Sequence, residues 1–250
     1  MTEELRPPPP PPANERRSAA GLRRFAIALT RRELPSPVLS VLLSALGNHE
    51  PPEMRAVFIE DADLLNAVAL PFIHELCVLT HVRRPIDRAR LEVLFEREAA
   101  AASSAVAELV QRLGWRCQFE VLRARKATAL RATLADVDVL LLPGVAGRAQ
   151  RSAAAPVLAV LDDSTSGTHC RLLAQRLATA VGAPLTVCQV LAEGQSAAEP
   201  GGAVALDAVP SLIAGRQVQW VLLAAALVPR LAHHAVELDE MCAAPLLVVN

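Results

Sequence analysis

Short apolar runs of Val, Ile, Leu and Ala alternate along this chain with longer stretches whose apolar positions recur every three or four residues. That alternation predicts strands joined by crossover helices, hence an α/β fold with parallel pairing. The first strand is expected at 24–30 (RFAIALT). Pro35 and Pro37 then open a helix whose apolar positions Val38, Leu42 and Leu46 share one face, and Gly47 stops it. A second strand is expected at 54–59 (MRAVFI); after it, Glu60-Asp61-Ala62-Asp63-Leu64-Leu65 begins a helix that carries Pro71, Phe72 and Glu75. The longest helix is expected at 87–113, with Leu91, Phe95, Ala102, Val106, Leu109 and Leu113 as its stripe and Gly114 as its end. A strand at 117–122, a helix at 127–134 and a strand at 137–142 follow. The last is nearly all Val and Leu, as a strand covered on both faces should be. Residues 23–143 therefore read βαβαβαβ.

A small-residue stretch at 144–155 leads into a second series. Its strand at 157–161, acidic turn Asp162-Asp163-Ser164, helix from about 168 to 181, Gly182 stop and strand at 185–190 form a βαβ unit. A loop at 192–202, a short helix at 203–214, a strand at 219–223, a helix at 230–241 and a strand at 246–249 complete it. The chain is thereby divided into a tail (1–22), a first half (23–147), a linker (148–155) and a second, shortened half (156–250). The tail holds six consecutive prolines at 7–12, a run that adopts extended polyproline II and cannot pack into a core. A P-x-x-P docking peptide is formally present, but the composition favours a disordered tail.

Composition narrows the function classes. Hydrophobic residues make up 52% of the 250 residues but aromatics only 3%, so the core must be built from Ala, Leu and Val. The net charge is −1, with 21 Lys/Arg against 18 Asp/Glu in 1–154 and 4 against 8 in 155–250. So small an asymmetry, with almost no ring to stack on a base, argues against a nucleic-acid partner. The five cysteines are scattered and never form C-x-x-C, which suits buried thiols in a reducing compartment. The N-terminus has no apolar signal segment, and the longest uncharged runs, such as 220–229, are far short of a membrane span. A soluble, cytoplasmic protein with no membrane partner is expected.

Several residues invite a chemical reading. Glu60, Asp61 and Asp63 cluster at a strand-to-helix turn; no His accompanies them at ligand spacing, so capping of the helix is favoured over a metal site. His74-Glu75-Leu76-Cys77-Val78 fails as a zinc-protease motif because Val78 stands where the second His must be. Ser164 and His169 lie near acids, yet no G-x-S-x-G exists, and Ser164-Thr165-Ser166 before a helix is ordinary N-cap chemistry. His233 and His234 are adjacent, so on a helix they diverge by roughly 100° and do not share a metal. Cys170 has only Arg171 as a basic neighbour in sequence, and packing is its expected role.

The order of strand, Asp162-x-Ser164, helix with Arg176-Leu177-Ala178, then Gly182-Ala183-Pro184-Leu185-Thr186-Val187 resembles the opening of a universal stress protein domain. Ala244-Pro245 leading into Leu246-Leu247-Val248-Val249 is similar to that family's last strand. In the first half, Glu60-Asp61, Leu64-Leu65, Pro71-Phe72 and Glu75 resemble a bacterial subset of stress-protein-like chains. The resemblance implies two tandem parallel-sheet halves, stacked or side by side, of the adenine nucleotide α-hydrolase-like type over 23–250. ATP-binding members use a G-x2-G-x9-G-[ST] loop after the fourth strand, whose N–H groups cradle phosphates, and an Asp at the end of the first strand. Here Gly144 and Gly147 match the start of that loop, but Val157 stands at the third glycine and Thr30 stands at the Asp. The second half has Asp162 in place, but Ala224-Ala225-Ala226-Leu227 follows its fourth strand. Each half keeps one piece of the site, so no cofactor is expected, with ATP as the alternative. The resemblance implies a non-catalytic stress-response or regulatory protein acting through a protein partner. An ATP- or AMP-binding sensor is the alternative, and a hydrolase is the least supported class. The apolar terminal strand at 246–249, with Pro245 at its start, is expected to find a partner either within the chain or in a second copy, and a homodimer through that strand is favoured.

Overall fold

Among the described residues the apolar runs converge on one nine-stranded sheet. The computed structural model describes residues 22–30, 41, 42, 45, 53–70, 73–76, 79, 81–85, 87–144, 155–191, 203–214, 217–232 and 244–250. The first half contributes β1 (Arg24–Leu29), β2 (Glu53–Asp61), α1 (Ala62–Ala67), β3 (His74–Leu76) and β4 (Arg83–Pro85). It continues with α2 (Arg88–Leu113), β5 (Cys117–Ala124), α3 (Lys126–Asp136) and β6 (Val139–Leu142). The second contributes β7 (Val157–Leu161), α4 (Thr165–Val181), β8 (Leu185–Val190), β9 (Ala203–Val204) and α5 (Val209–Ala214). It ends with β10 (Trp220–Ala224), α6 (Val228–Ala232) and β11 (Leu246–Val249), with single 3-10 turns at Leu206–Ala208 and Ala225–Leu227.

The strand order is β5-β2-β1-β6-β11-β10-β7-β8-β9, and β3 and β4 form a separate two-stranded ribbon. Pairing is parallel within β5-β2-β1-β6 and within β11-β10-β7-β8-β9. The blocks meet at one antiparallel junction, where Leu246 faces Leu142 and Val249 faces Val139. The halves therefore lie side by side in one mixed, mostly parallel sheet, and their carboxyl ends point to opposite rims. Every residue of β6, β7, β10 and β11 is buried, which explains unbroken Val, Leu and Ala runs in place of alternation.

This topology corrects the expected dimer contact. The terminal strand is not an edge: β10 occupies one side of β11 and β6 the other. The first block has no fifth strand of its own among the described residues, so its open edge accepts β11. Backbone groups that a second copy was expected to satisfy are satisfied within the chain.

Local signals fixed most helix ends. Asp87 caps α2 by accepting the Ala89 N–H at 3.0 Å, and α2 and α4 end in left-handed Gly114 and Gly182. Arg55 of β2 pairs with Asp136 of α3, while Glu60 of β2 pairs with Arg123, which reaches Glu92 of α2. Positions 55 and 60 have opposite parity on β2, so α2 and α3 cover opposite faces of the sheet.

Four expectations need revision. Glu60 and Asp61 belong to β2, α1 ends at Ala67, and Glu75 falls in β3 instead of a long helix. The helix after Ser164 begins at Thr165, where the Ser164 cap releases it, and not near 168. Residues 203–214 form β9, a 3-10 turn and α5 instead of one helix. The helix expected at 230–241 begins earlier, at Val228, and is described to Ala232. The proline-rich tail (1–21), most of the helix after Pro35, the 192–202 loop and His233-His234 lie outside the described residues. Among the described residues no helix is long and apolar enough to cross a membrane.

Candidate functional site

In open α/β sheets ligands bind beyond the carboxyl ends of strands, where the strand order reverses. This sheet has two such points: between β7 and β10 in the second block, and between β1 and β6 in the first. Because the blocks run antiparallel, the two crevices open on opposite rims. Asp162 stands at the first and Gly144 at the second, so the structure does not bring these two residues together. Gly147 lies outside the described residues.

The β7–β10 crevice is built by a chain of short-range bonds. Asp162 follows β7 with its side chain turned toward the start of α4. Its Oδ1 accepts the Ser164 hydroxyl at 2.5 Å and the Ser164 N–H at 3.3 Å. Ser164 Oγ in turn accepts the Gly167 N–H at 3.1 Å, which caps α4. Ser166 Oγ lies 2.8 Å from Ser164 Oγ and accepts the Ala226 N–H at 3.3 Å. With each hydroxyl donating once, the sequence of donors runs Ala226 to Ser166 to Ser164 to Asp162, and the charge of the carboxylate terminates it.

Helix α4 also starts tight against the end of β7. A Cβ on Gly167 would stand 2.1 Å from the Asp162 carbonyl oxygen and 2.9 Å from Asp162 Oδ1. Only a residue without a side chain permits α4 to start so close to the end of β7. Opposite it, Ala225–Leu227 forms a 3-10 turn with Ala225 and Leu227 buried. At this turn the Ala226 N–H is given to Ser166.

The neighbouring side chains are committed elsewhere. Asp163 accepts the Gln189 side-chain amide at 2.8 Å. His169 Nδ1 lies 3.0 Å from the Asn250 carbonyl oxygen, which it meets as a donor. Ser164 spends its hydroxyl on Asp162, so Ser164 and His169 do not assemble as nucleophile and base. Cys170 is buried on α4, and burial, reinforced by the Asp162 charge, pushes its thiol well above the ordinary range. A thiol held protonated is a poor nucleophile, consistent with a packing role.

The acids of the first half are paired or capping. Asp61 accepts the Asp63 N–H at 2.9 Å, capping α1 as expected. Buried Glu60 receives Arg123 Nε at 2.7 Å, Arg123 also reaches Glu92 at 3.3 Å, and Asp63 pairs with Arg125 at 3.1 Å. Among the described residues no three His, Cys, Asp or Glu groups are placed to hold a metal ion. Gly144 lies two residues beyond β6, after Pro143, and is half-buried; β6 pairs with β1, which exposed Thr30 follows.

Sequence reasoning placed Asp162 after β7 and found the Ser164 cap because both depend on near neighbours. It missed Ser166 as the bridge to Ala226, a contact across 60 residues. A serine placed two after the cap, on the buried side of a first helical turn, was the available signal.

No protein-family model and no curated protein sequence matches the chain. Among solved structures it is similar to a universal stress protein from Archaeoglobus fulgidus, with a TM-score of 0.46 and 9% identity over 90% of this chain and 96% of that one. It is similar to a functionally unknown protein from Pseudomonas aeruginosa at TM-score 0.44 and 11% identity, over 93% of each chain. The cytoplasmic domain of a prokaryotic cation chloride cotransporter also matches, at TM-score 0.36 and 9% identity over 91% of this chain and 95% of that one. Likenesses this distant carry no argument about ligand or activity, and the fold described above rests on its own strand order.

Proposed function

We propose that this chain is a non-catalytic regulatory protein of universal stress protein type, acting through contacts with another protein, with a degenerate nucleotide site. The stress-response reading rests on the sequence resemblance around Asp162-x-Ser164 and the Pro245-led last strand. One observation carries the degenerate site: Ser166 Oγ accepts the Ala226 N–H at 3.3 Å. A phosphate needs N–H groups that are free and convergent. Here the N–H at the crevice is satisfied by the protein, and the hydroxyl chain ends on a carboxylate that repels an anion. The absence of an activated nucleophile at Ser164 favours a binding role over a hydrolytic one.

The alternative is an ATP- or AMP-binding sensor, favoured by Asp162 at a switch point and by half-buried Gly144 at the other. Thermal unfolding with and without Mg-ATP separates the two. Ligand at a hundredfold excess over its dissociation constant would add about 2.7 kcal/mol and shift the melting temperature visibly. The proposed reading expects no shift. A reproducible shift that disappears in Asp162→Ala or Gly147→Val overturns it in favour of the sensor.

A further inference from the structure

On one side the nine-stranded sheet ends in β5, a strand of 8 residues. It pairs with β2 along its whole length, from Cys117 beside Met54 to Ala124 beside Asp61. Along its other edge no strand lies beside it among the described residues. A long open edge presents a row of backbone donors and acceptors, a template for a further strand. The other end of the sheet offers no such row, since β9 has 2 residues.

Edges are ordinarily guarded by proline, lysine, a bulge or a charge that meets the incoming strand. Strand β5 contains neither proline nor lysine, and its one-to-one register with β2 has no bulge. Its two charged side chains lean inward along the sheet. Glu120 pairs with Arg55 of β2 at 2.7 Å, and Arg123 pairs with Glu60 of β2 at 2.7 Å. Between them stands Val121, 46% exposed, while Phe119 and Leu122 are only partly buried. The two charges that would repel another strand are thus matched from within.

We propose that β5 joins two copies of this chain edge to edge, antiparallel, about a twofold axis perpendicular to the sheet and centred on Val121. The register selects the occupant. Such an axis keeps α2 on the same face in both copies, so opposed residues share parity and one residue faces its own counterpart. An axis at Glu120 or Arg123 would oppose like charges. Axes at Phe119 or Leu122 shorten the paired stretch to 117–121 or 120–124. At Val121 the whole of 118–124 pairs: Gln118 faces Ala124, Glu120 faces Leu122, and Arg123 faces Phe119, a cation beside a ring. Strand β5 therefore matches itself over nearly its full length with no like charges opposed, a fit that a foreign strand has no reason to reproduce. The two blocks within the chain are already joined in this manner, through the antiparallel β6–β11 pair. This inference does not depend on how the β7–β10 crevice is read.

Sedimentation velocity of the full chain at micromolar concentration tests it. The wild-type protein is expected at twice the 26.6 kDa chain mass. Val121→Lys and Val121→Glu each set a charge against its own counterpart and are expected to sediment as monomers. An equimolar mixture of the two is expected to recover the doubled mass, because Lys then meets Glu at the axis. Leu172→Glu, at an exposed leucine of α4, is expected to leave the dimer intact. Hydrogen exchange over 117–124 in the wild type, slower at high than at low protein concentration, keeps the test independent of how the variants fold. A monomeric wild type overturns the proposal, as does a dimer that survives both Val121 variants, a mixture that stays monomeric, or exchange that ignores concentration. A monomeric wild type that binds an alternating Val-Thr decapeptide by fluorescence anisotropy would give the edge to another protein's strand instead.

Discussion

Ser166 and Ala226 meet across the mouth of the β7–β10 crevice, the serine hydroxyl 3.3 Å from the alanine N–H. The two residues belong to the first turn of α4 and to the turn after β10, so their bond closes the crevice from both sides. It also satisfies a backbone donor that water or a ligand would otherwise have to satisfy.

Ser166→Ala removes that acceptor from a buried position, since Ser166 is only 7% exposed. Leaving the Ala226 N–H unmatched is expected to cost about 1–3 kcal/mol. At this chain length each kcal/mol lowers the melting temperature by about 2–4 °C. Denaturant unfolding of the variant reads the loss directly; an unchanged midpoint would show that water replaces the hydroxyl and that the crevice is more open than described.

Gly167→Ala probes the close approach of α4 to β7. In an ordinary helical position the change would gain roughly 1 kcal/mol. Here the new methyl meets the Asp162 carbonyl oxygen at 2.1 Å, so overpacking of about 1–3 kcal/mol or more is expected to dominate. The measured sign of the stability change decides. A stabilised variant would mean that α4 can slide away from Asp162.

The shared strand β11 predicts that the two blocks unfold together. Trp115 lies in the first half and Trp220 in the second, and they are the chain's only tryptophans. Fluorescence of Trp115→Phe and Trp220→Phe variants should give one common denaturation midpoint, apart from the small cost of each replacement. Val248→Pro removes a ladder hydrogen bond from a buried central strand, and should lower both midpoints in parallel. Two separated transitions in the parent protein would refute the shared strand.

The Arg24–Asp138 clasp gives a pH dependence of known sign. Burial alone would raise the Asp138 carboxyl, but the N–H groups of Arg24 and Arg23 and the Arg24 guanidinium outweigh it and hold it below the ordinary range. The guanidinium contact is 3.0 Å. A carboxyl lowered on folding contributes stability that is fully present above its unfolded value of about 3.9 and is lost as pH falls through the folded value. Asp138→Asn should therefore be less stable than the parent at neutral pH, with the difference shrinking below about pH 4. A difference that stays constant down to pH 2 would show that the charge of Asp138 is not what the clasp uses.

Thiol reactivity offers an independent check on the β7–β10 crevice. Burial raises Cys117 to about 11 and pushes Cys170 higher still. Neither should react with a thiol-specific reagent in the native protein at neutral pH, and both should react in denaturant. Mapping the labelled peptides distinguishes them from the other three cysteines. Rapid native labelling of Cys170 would contradict the closed start of α4.

By itself the sequence determined the features that depend on near neighbours. Strands such as Val139–Leu142 and Trp220–Ala224 were legible because a strand covered on both faces is a continuous apolar run. The Asp61 and Ser164 caps, the Gly114 and Gly182 stops and the position of Asp162 after β7 were legible for the same local reason. The tertiary structure alone decided what those elements meet. A row of four Leu and Val residues at the end of the chain has two apolar faces and two hydrogen-bonding edges, and nothing within it says which strand lies alongside. Pairing β11 antiparallel to β6, more than a hundred residues away, set the halves side by side and sent Asp162 and Gly144 to opposite rims. Glu75 in β3 was misread as part of a helix because the few apolar positions there suit either period over so short a span. The Ser166–Ala226 and Glu60–Arg123 contacts join residues 60 and 63 positions apart. Such contacts exist only once the sheet has fixed the distance between their strands, and the closed crevice is their consequence.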